Sequence, residues 1–339
     1  MKQAVMVNPG KIDFRNVPIP EISDSQVLIK IQRIGVCGSD VHVYHGKHPY
    51  TSYPVVQGHE VSGLIEKKGA NVTLLNLGDK VTFQPQVFCG KCFPCRHGNY
   101  HICDNLKVMG FQTTGAASEF FAIDADKVIF LPDGLDLDQG ALVEPLAVAV
   151  HALNRSINVE NKKVIVLGAG TIGNLVAQAA KGMGAEKVLI SDISEFRLDI
   201  AKKCGIDYQV NVLHEELSDS IFRYFGPDKA DIIFECVGLE QTLKQAIENG
   251  RKGSDIIIVG VYGDLIKADM GLVQDKELKI SGTLMYQKED YIKAIDLLKN
   301  KKINTASVIT SFFPFDKYIE AYHYIEEKKD QCLKVMIKI

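Results

Sequence analysis

One hexapeptide limits what this chain can fold into. Gly168-Ala169-Gly170-Thr171-Ile172-Gly173 reads G-x-G-x-x-G, and it lies between the apolar run Lys163–Leu167 and an Ala-rich helical stretch ending at Met183. A glycine cluster alone is a weak signal, because turns use glycine freely. Here a second apolar run, Lys187–Ser191, follows the helix, and Asp192 stands 19 positions beyond Gly173. That strand–turn–helix–strand–acid order predicts a dinucleotide site. Gly168 makes the tight turn, Gly170 lets the backbone approach a pyrophosphate, and Gly173 permits close strand–helix packing. Thr171 and Ile172 open the helix, whose N-terminus offers free N–H groups to phosphates. Asp192 is expected to accept hydrogen bonds from the adenosine ribose hydroxyls and to repel a 2′-phosphate, which favours NAD over NADP. Arg197 is assigned to the same cofactor site. The competing reading is a plain βα turn with a solvent-exposed aspartate.

The texture around this motif is that of an α/β domain. Apolar runs recur at Asp231–Phe234, Asp255–Val259 and Glu277–Ser281 with helical stretches between them. Strands apolar on both faces, alternating with helices, predict a parallel sheet covered on both sides. The first ~150 residues differ, with short runs such as Gln26–Ile34, Val61–Ile65 and Lys80–Phe83 broken by Gly, Pro and Asp, the pattern of a β-rich domain. The last ~50 residues open with a helical stretch, Lys288–Lys299, and close with an alternating strand, Leu333–Ile339.

Four of the eight cysteines, Cys89, Cys92, Cys95 and Cys103, fall in a C-x2-C-x2-C-x7-C cluster. Disulfide-dense chains are typically small and secreted, and the N-terminus Met1–Val7 reads as a first strand with no secretory h-region. The expected location is therefore cytoplasmic. Four thiolates can close a tetrahedral shell around Zn²⁺ and leave no open position, a site that braces a loop. An iron–sulfur cluster also uses four cysteines and stays open as an alternative. Nearby His97 and His101 are expected as surface loop residues, and Cys204, Cys236 and Cys332 as small hydrophobes. The net charge, 39 − 42 = −3, comes with scattered Lys and Arg, which argues against a nucleic-acid partner. No apolar run reaches the length of a membrane span.

A second constellation is more dispersed. Gly35-Val36-Cys37-Gly38-Ser39-Asp40-Val41-His42 gathers a thiol, a hydroxyl, a carboxylate and an imidazole, followed by Gly58-His59-Glu60 and Val143-Glu144-Pro145. Thiolate, imidazole and carboxylate are all good zinc ligands, and three protein ligands leave a fourth position, the mark of a catalytic site. Taken singly, a lone Cys is more often a buried hydrophobe.

These segments, with Gly58–Gly63, Gly78-Asp79-Lys80-Val81, the four-cysteine lobe and the glycine fingerprint, occur in the order found in the zinc-containing medium-chain dehydrogenase/reductase family. The chain resembles that family over essentially its whole length, in its sorbitol dehydrogenase-like and hexonate 5-dehydrogenase-like branch. The resemblance implies a GroES-like catalytic domain at 1–147 with a structural zinc lobe at about 88–104. It further implies a Rossmann domain at 148–284 and a segment, 285–339, that rejoins the first domain, with the chemistry in a cleft between the two. It implies two zinc ions per chain: a structural one on the four cysteines, and a catalytic one on Cys37, His59 and Glu60, with Glu144 approaching the metal. Ser39 and His42 resemble the family's proton relay, and Asp40 would orient His59 through its remaining N–H. Phe111 and Phe88 are candidates to line the pocket.

The implied activity is oxidation of a secondary alcohol of a polyol or sugar acid, with hydride passing to NAD. The polar, partly cationic stretch Tyr44–Tyr50 suits a hydroxyl-rich substrate, although Lys47 or His48 could equally be solvated loop residues. Threonine 3-dehydrogenase and 2,3-butanediol dehydrogenase are the competing activities, and a non-catalytic NAD-binding protein is the competing class. A small-molecule substrate is expected, with no nucleic-acid or membrane partner, and a homodimer or homotetramer as in the family.

Overall fold

The longest strand, Gln26–Val36, alternates enough to bury Val27, Ile29, Ile31, Ile34 and Val36. Each such side chain contributes about 1.5–3 kcal/mol when removed from water, so this strand anchors the core of its unit. Its neighbours pair in the order Ile309–Pro314, Lys334–Lys338, Gln26–Val36, Glu60–Lys68, Lys80–Phe83, Val128–Phe130, and Phe120–Asp124 joins its first half. All but the first of these pairs are antiparallel. The computed structural model describes residues 1–339. It divides into two units, one of residues 1–144, 309–329 and 334–339, the other of residues 145–308 and 330–333.

The second unit is the α/β domain that the hexapeptide predicts. Its six strands are all parallel, in the order Tyr208–Asn211, Lys187–Asp192, Lys163–Leu167, Ile232–Glu235, Asp255–Ile258, Lys279–Gly282. Numbered along the chain this is 3-2-1-4-5-6, the doubly wound order, which reverses between Lys163–Leu167 and Ile232–Glu235. Val164–Leu167 and Val188–Ile190 are wholly buried, as strands covered on both faces must be.

The boundaries differ from those read along the chain. The division falls at Glu144–Pro145, inside the helix Leu137–Asn154. Residues 285–308 stay with the second unit rather than returning to the first. Asp290 explains why: its carboxylate accepts from His151 Nδ1 and Asn154 Nδ2, each at 2.8 Å. The helix Lys288–Lys299 also brings Leu297 against Gly182, where a Cβ would lie 3.0 Å from the leucine. Only 309–329 and 334–339 rejoin the first unit. No helix is long and apolar enough to cross a membrane.

Candidate metal centres and dinucleotide site

Strand register assembles the first centre. Gly35 faces Glu60 across one antiparallel ladder, and Val36 faces Val335 across the next. Cys37, one residue past the strand end, therefore arrives beside Glu60 and Lys334. Gly35 has to lack a side chain, because a Cβ there would sit 2.1 Å from Glu60 Oε2. His59 precedes Glu60, and the donor atoms of Cys37, His59 and Glu60 all lie within 4.8 Å of one another. One soft and two borderline or hard donors at that spacing fit Zn²⁺ and leave one tetrahedral position open.

Two buried partners surround these three. The carboxylate of Asp40 accepts the backbone N–H of Cys37 at 2.9 Å, and its Oδ1 stands 3.6 Å from His59 Nδ1. His59 Nδ1 is buried and makes no hydrogen bond. With Asp40 on that side, Nε2 is the nitrogen left for a metal. Burial drives the imidazole's pKa down, but Asp40 first, then Cys37 and Glu144, outweigh it and hold His59 well above its ordinary range. Burial likewise raises Asp40, against the opposing pull of His59 and the Cys37 N–H.

Lys334 is the partner that sequence reasoning missed. Its ammonium donates to Glu60 Oε1 at 2.7 Å, to Oε2 at 2.5 Å and to the Val36 carbonyl at 3.1 Å. Burial pushes its pKa down, yet the Glu60 charge outweighs that and leaves it raised. Cys37 and Glu60 alone would cancel a divalent cation, whereas Lys334 adds one positive charge to the sum. The signal available in the sequence was only a lysine inside an alternating strand.

Glu144 is buried. Carried on the helix Leu137–Asn154, it acts on His59 and Lys334 through its charge. Ser39 and His42 lie three apart on the helix Gly38–Tyr44, hence on one face, with His42 exposed. Phe111 stacks on His48 with centroids 4.7 Å apart and lies 4.8 Å from the His59 ring, while Phe88 packs against Tyr100 instead. His97 is exposed as expected, but His101 is buried.

The second centre is local. The sulfurs of Cys89, Cys92, Cys95 and Cys103 lie within 4.8 Å of one another. Backbone N–H groups of Cys89 and Asn105 point at Cys103 Sγ from 3.3 and 3.4 Å. Those of Lys91 and Cys92 pull the Cys89 thiol down to about 6, while burial, with Cys92 and Cys103 beside it, pushes Cys95 up to about 12. N–H groups aimed at sulfur stabilise thiolates, which is what a four-sulfur metal site needs.

In the second unit the three glycines differ in what they avoid. Gly168 has φ +97°, and a Cβ at Gly173 would lie 1.9 Å from the Gly168 carbonyl oxygen. Gly170 caps the helix Thr171–Gly182, and a Cβ there would meet nothing within 4 Å. Packing within this unit therefore explains Gly168 and Gly173, while Gly170 faces open space. Asp192 is more occupied than expected: its carboxylate accepts the N–H groups of Ala169, Ile193 and Ser194 at 2.6–2.9 Å. Arg197 Nη1 stands 4.0 Å from it.

Residues 23–133 match the alcohol dehydrogenase GroES-like domain family, and residues 171–300 match the zinc-binding dehydrogenase family. Sorbitol dehydrogenase of Bacillus subtilis is 30% identical over 99% of this chain and 97% of its own. The 2-dehydro-3-deoxy-L-galactonate 5-dehydrogenase of Pseudoalteromonas atlantica is 35% identical over 85% of this chain and 84% of its own. Two solved structures superpose over 100% of this chain and 99% of theirs. An Escherichia coli alcohol dehydrogenase complexed with NADH has a TM-score of 0.93 at 29% identity. A zinc-binding dehydrogenase from Sinorhizobium meliloti bound to NADP has 0.91 at 27%.

Proposed function

Because the chain belongs to the zinc-containing medium-chain dehydrogenase/reductase family, we propose that it oxidises a secondary alcohol of a polyol or sugar acid, passing hydride to NAD. The observation that carries this reading is the convergence of the half-buried Cys37 with the buried His59 and Glu60, braced by Asp40 and Lys334. A Zn²⁺ held by those three donors would acidify a hydroxyl, and a nicotinamide would supply the hydride acceptor.

The chain's own residues do the rest. Asp40 faces His59 Nδ1 and so leaves Nε2 to the metal. Lys334 holds the Glu60 carboxylate in place and offsets one of the negative charges gathered around the ligand set. Ser39 relays the substrate hydroxyl's proton, releasing its own hydroxyl proton as it accepts one, and the exposed His42 on the same helix face is the outward shuttle to solvent. Glu144 contributes negative charge beside His59 and, as the family resemblance implies, can approach the metal. Cys89, Cys92, Cys95 and Cys103 hold a second, structural zinc. Gly168, Gly170, Thr171, Ile172 and Gly173 cradle the pyrophosphate. The Asp192 carboxylate beside Ala169 disfavours a 2′-phosphate, which supports NAD over NADP. The sorbitol and hexonate relatives, with the polar stretch Tyr44–Tyr50, support a hydroxyl-rich substrate.

The test pairs elemental analysis with a panel of sorbitol, L-iditol, L-galactonate, L-gulonate, threonine and 2,3-butanediol, each with NAD and NADP. Two zinc ions per chain are expected, together with NAD reduction on a polyol or hexonate. Cys37→Ser should leave one zinc and lower turnover more than about a hundredfold. Full turnover with both ions retained in that variant would sink the assignment. Activity confined to threonine or the diol would move the substrate.

A further inference from the structure

Gln57 has no part in the ligand set, yet it is almost fully buried two residues before His59. Its backbone is already fixed: Gly115 N–H donates to Val56 O, Ala117 N–H to Gln57 O and Ala116 N–H to Gly58 O, at 2.8–2.9 Å. Buried amides are costly unless every polar atom is paired. Here the pairing is complete and one-directional. The Tyr322 hydroxyl donates to Gln57 Oε1 at 2.6 Å. Gln57 Nε2 donates to Asp40 Oδ1 at 3.1 Å and to the Asp40 carbonyl at 3.2 Å. Reversing the amide would set its oxygen against the Asp40 carboxylate, so the orientation is dictated by chemistry. Tyr322 is held in turn by stacking on Tyr44, centroids 5.0 Å apart, on the helix that Cys37 caps.

We propose that Gln57 is a positioning residue of the metal centre, relaying a directed hydrogen-bond chain from Tyr322 on the helix Tyr318–Lys328 to the Asp40 carboxylate that faces His59. The inference rests on the reading of Cys37, His59 and Glu60 as zinc ligands. Asp40 touches both ends of that ligand set, through the Cys37 N–H on Oδ2 and His59 Nδ1 facing Oδ1. A carboxylate has two oxygens and a free torsion. The Cys37 N–H fixes one oxygen, and Gln57 fixes the other. Removing the amide takes the side-chain donor away from Asp40 Oδ1 and the Gln57 acceptor away from the Tyr322 hydroxyl, both buried. The carboxylate then turns to satisfy itself and loses its alignment with His59. Outer partners of a metal-binding imidazole typically govern ten- to hundredfold in metal affinity.

The test uses the full chain and zinc itself, titrated against a chromophoric chelator, with Cys37→Ser identifying which of two sites is the catalytic one. Gln57→Leu should weaken that site by about ten- to a hundredfold and leave the four-cysteine site unchanged as an internal control. Tyr322→Phe, which removes one hydroxyl, should weaken it roughly threefold to tenfold. Co²⁺ substituted at the catalytic site should show shifted visible bands in both variants, a readout that altered packing elsewhere would not move. If both variants hold both ions like the parent, the positioning role is wrong while the zinc reading stands. If the parent itself binds no ion that depends on Cys37, both fall. Should Gln57→Leu lose both ions together through misfolding, Tyr322→Phe alone decides.

Discussion

Replacing Lys334 by Met removes the cation that Glu60 leans on while keeping an unbranched side chain of similar length. The ammonium and carboxylate are 3% and 1% exposed, so neither partner can fall back on water. Two of the three Lys334 hydrogen bonds run to Glu60, at 2.7 and 2.5 Å. Breaking one side of such a buried pair costs about 3–5 kcal/mol, because the surviving charge is stranded. Chelator-treated Lys334→Met should therefore unfold in urea with about that loss relative to chelator-treated parent. The chain has no tryptophan, so far-ultraviolet circular dichroism is the suitable probe. Zinc-loaded protein should lose less than half as much, since the metal gives Glu60 another counter-charge. Removing both partners, as Lys334→Met with Glu60→Met, should restore the chelated protein to within about 1 kcal/mol of the parent. A chelated single variant within about 1 kcal/mol of the parent, or a double variant no better than the single, would refute the reasoning.

Further outcomes follow from the same geometry. Gly173→Ala should cost about 1–3 kcal/mol of stability or more, because its Cβ cannot stand 1.9 Å from the Gly168 oxygen. Gly170→Ala should leave stability within about 1 kcal/mol and weaken NAD binding at least about tenfold by calorimetry; unchanged affinity would place the pyrophosphate elsewhere. Cys103→Ser should lower zinc content by about one ion and open residues 89–103 to limited proteolysis while the Cys37 site keeps its metal; an unchanged metal content would remove Cys103 from the ligands.

Features that one short stretch of chain determines were legible in the sequence. The dinucleotide turn is a strand, three glycines and a helix within some twenty residues, and the parallel sheet around it follows from strands apolar on both faces. The four cysteines span 89–103, so the loop itself brings their sulfurs together. Cys37 and His59-Glu60 were visible as donor types, although only the antiparallel ladder Gly35–Glu60 unites them. Periodicity could not reveal that Asp290 ties 285–308 to the second unit, since a hydrogen bond to His151 leaves no trace in spacing.

The composition and order of the motifs determined the two kinds of domain, the four-cysteine cluster and the glycine turn, because each is written in residues that are near neighbours. Tertiary structure alone decided that Lys334 meets Glu60 from 274 positions away and that Tyr322 reaches Gln57 from 265. In the sequence Lys334 reads as an ordinary member of an alternating strand, and nothing singles out Tyr322. Strand register and helix docking turn them inward, where low dielectric and the absence of water make each partner obligatory.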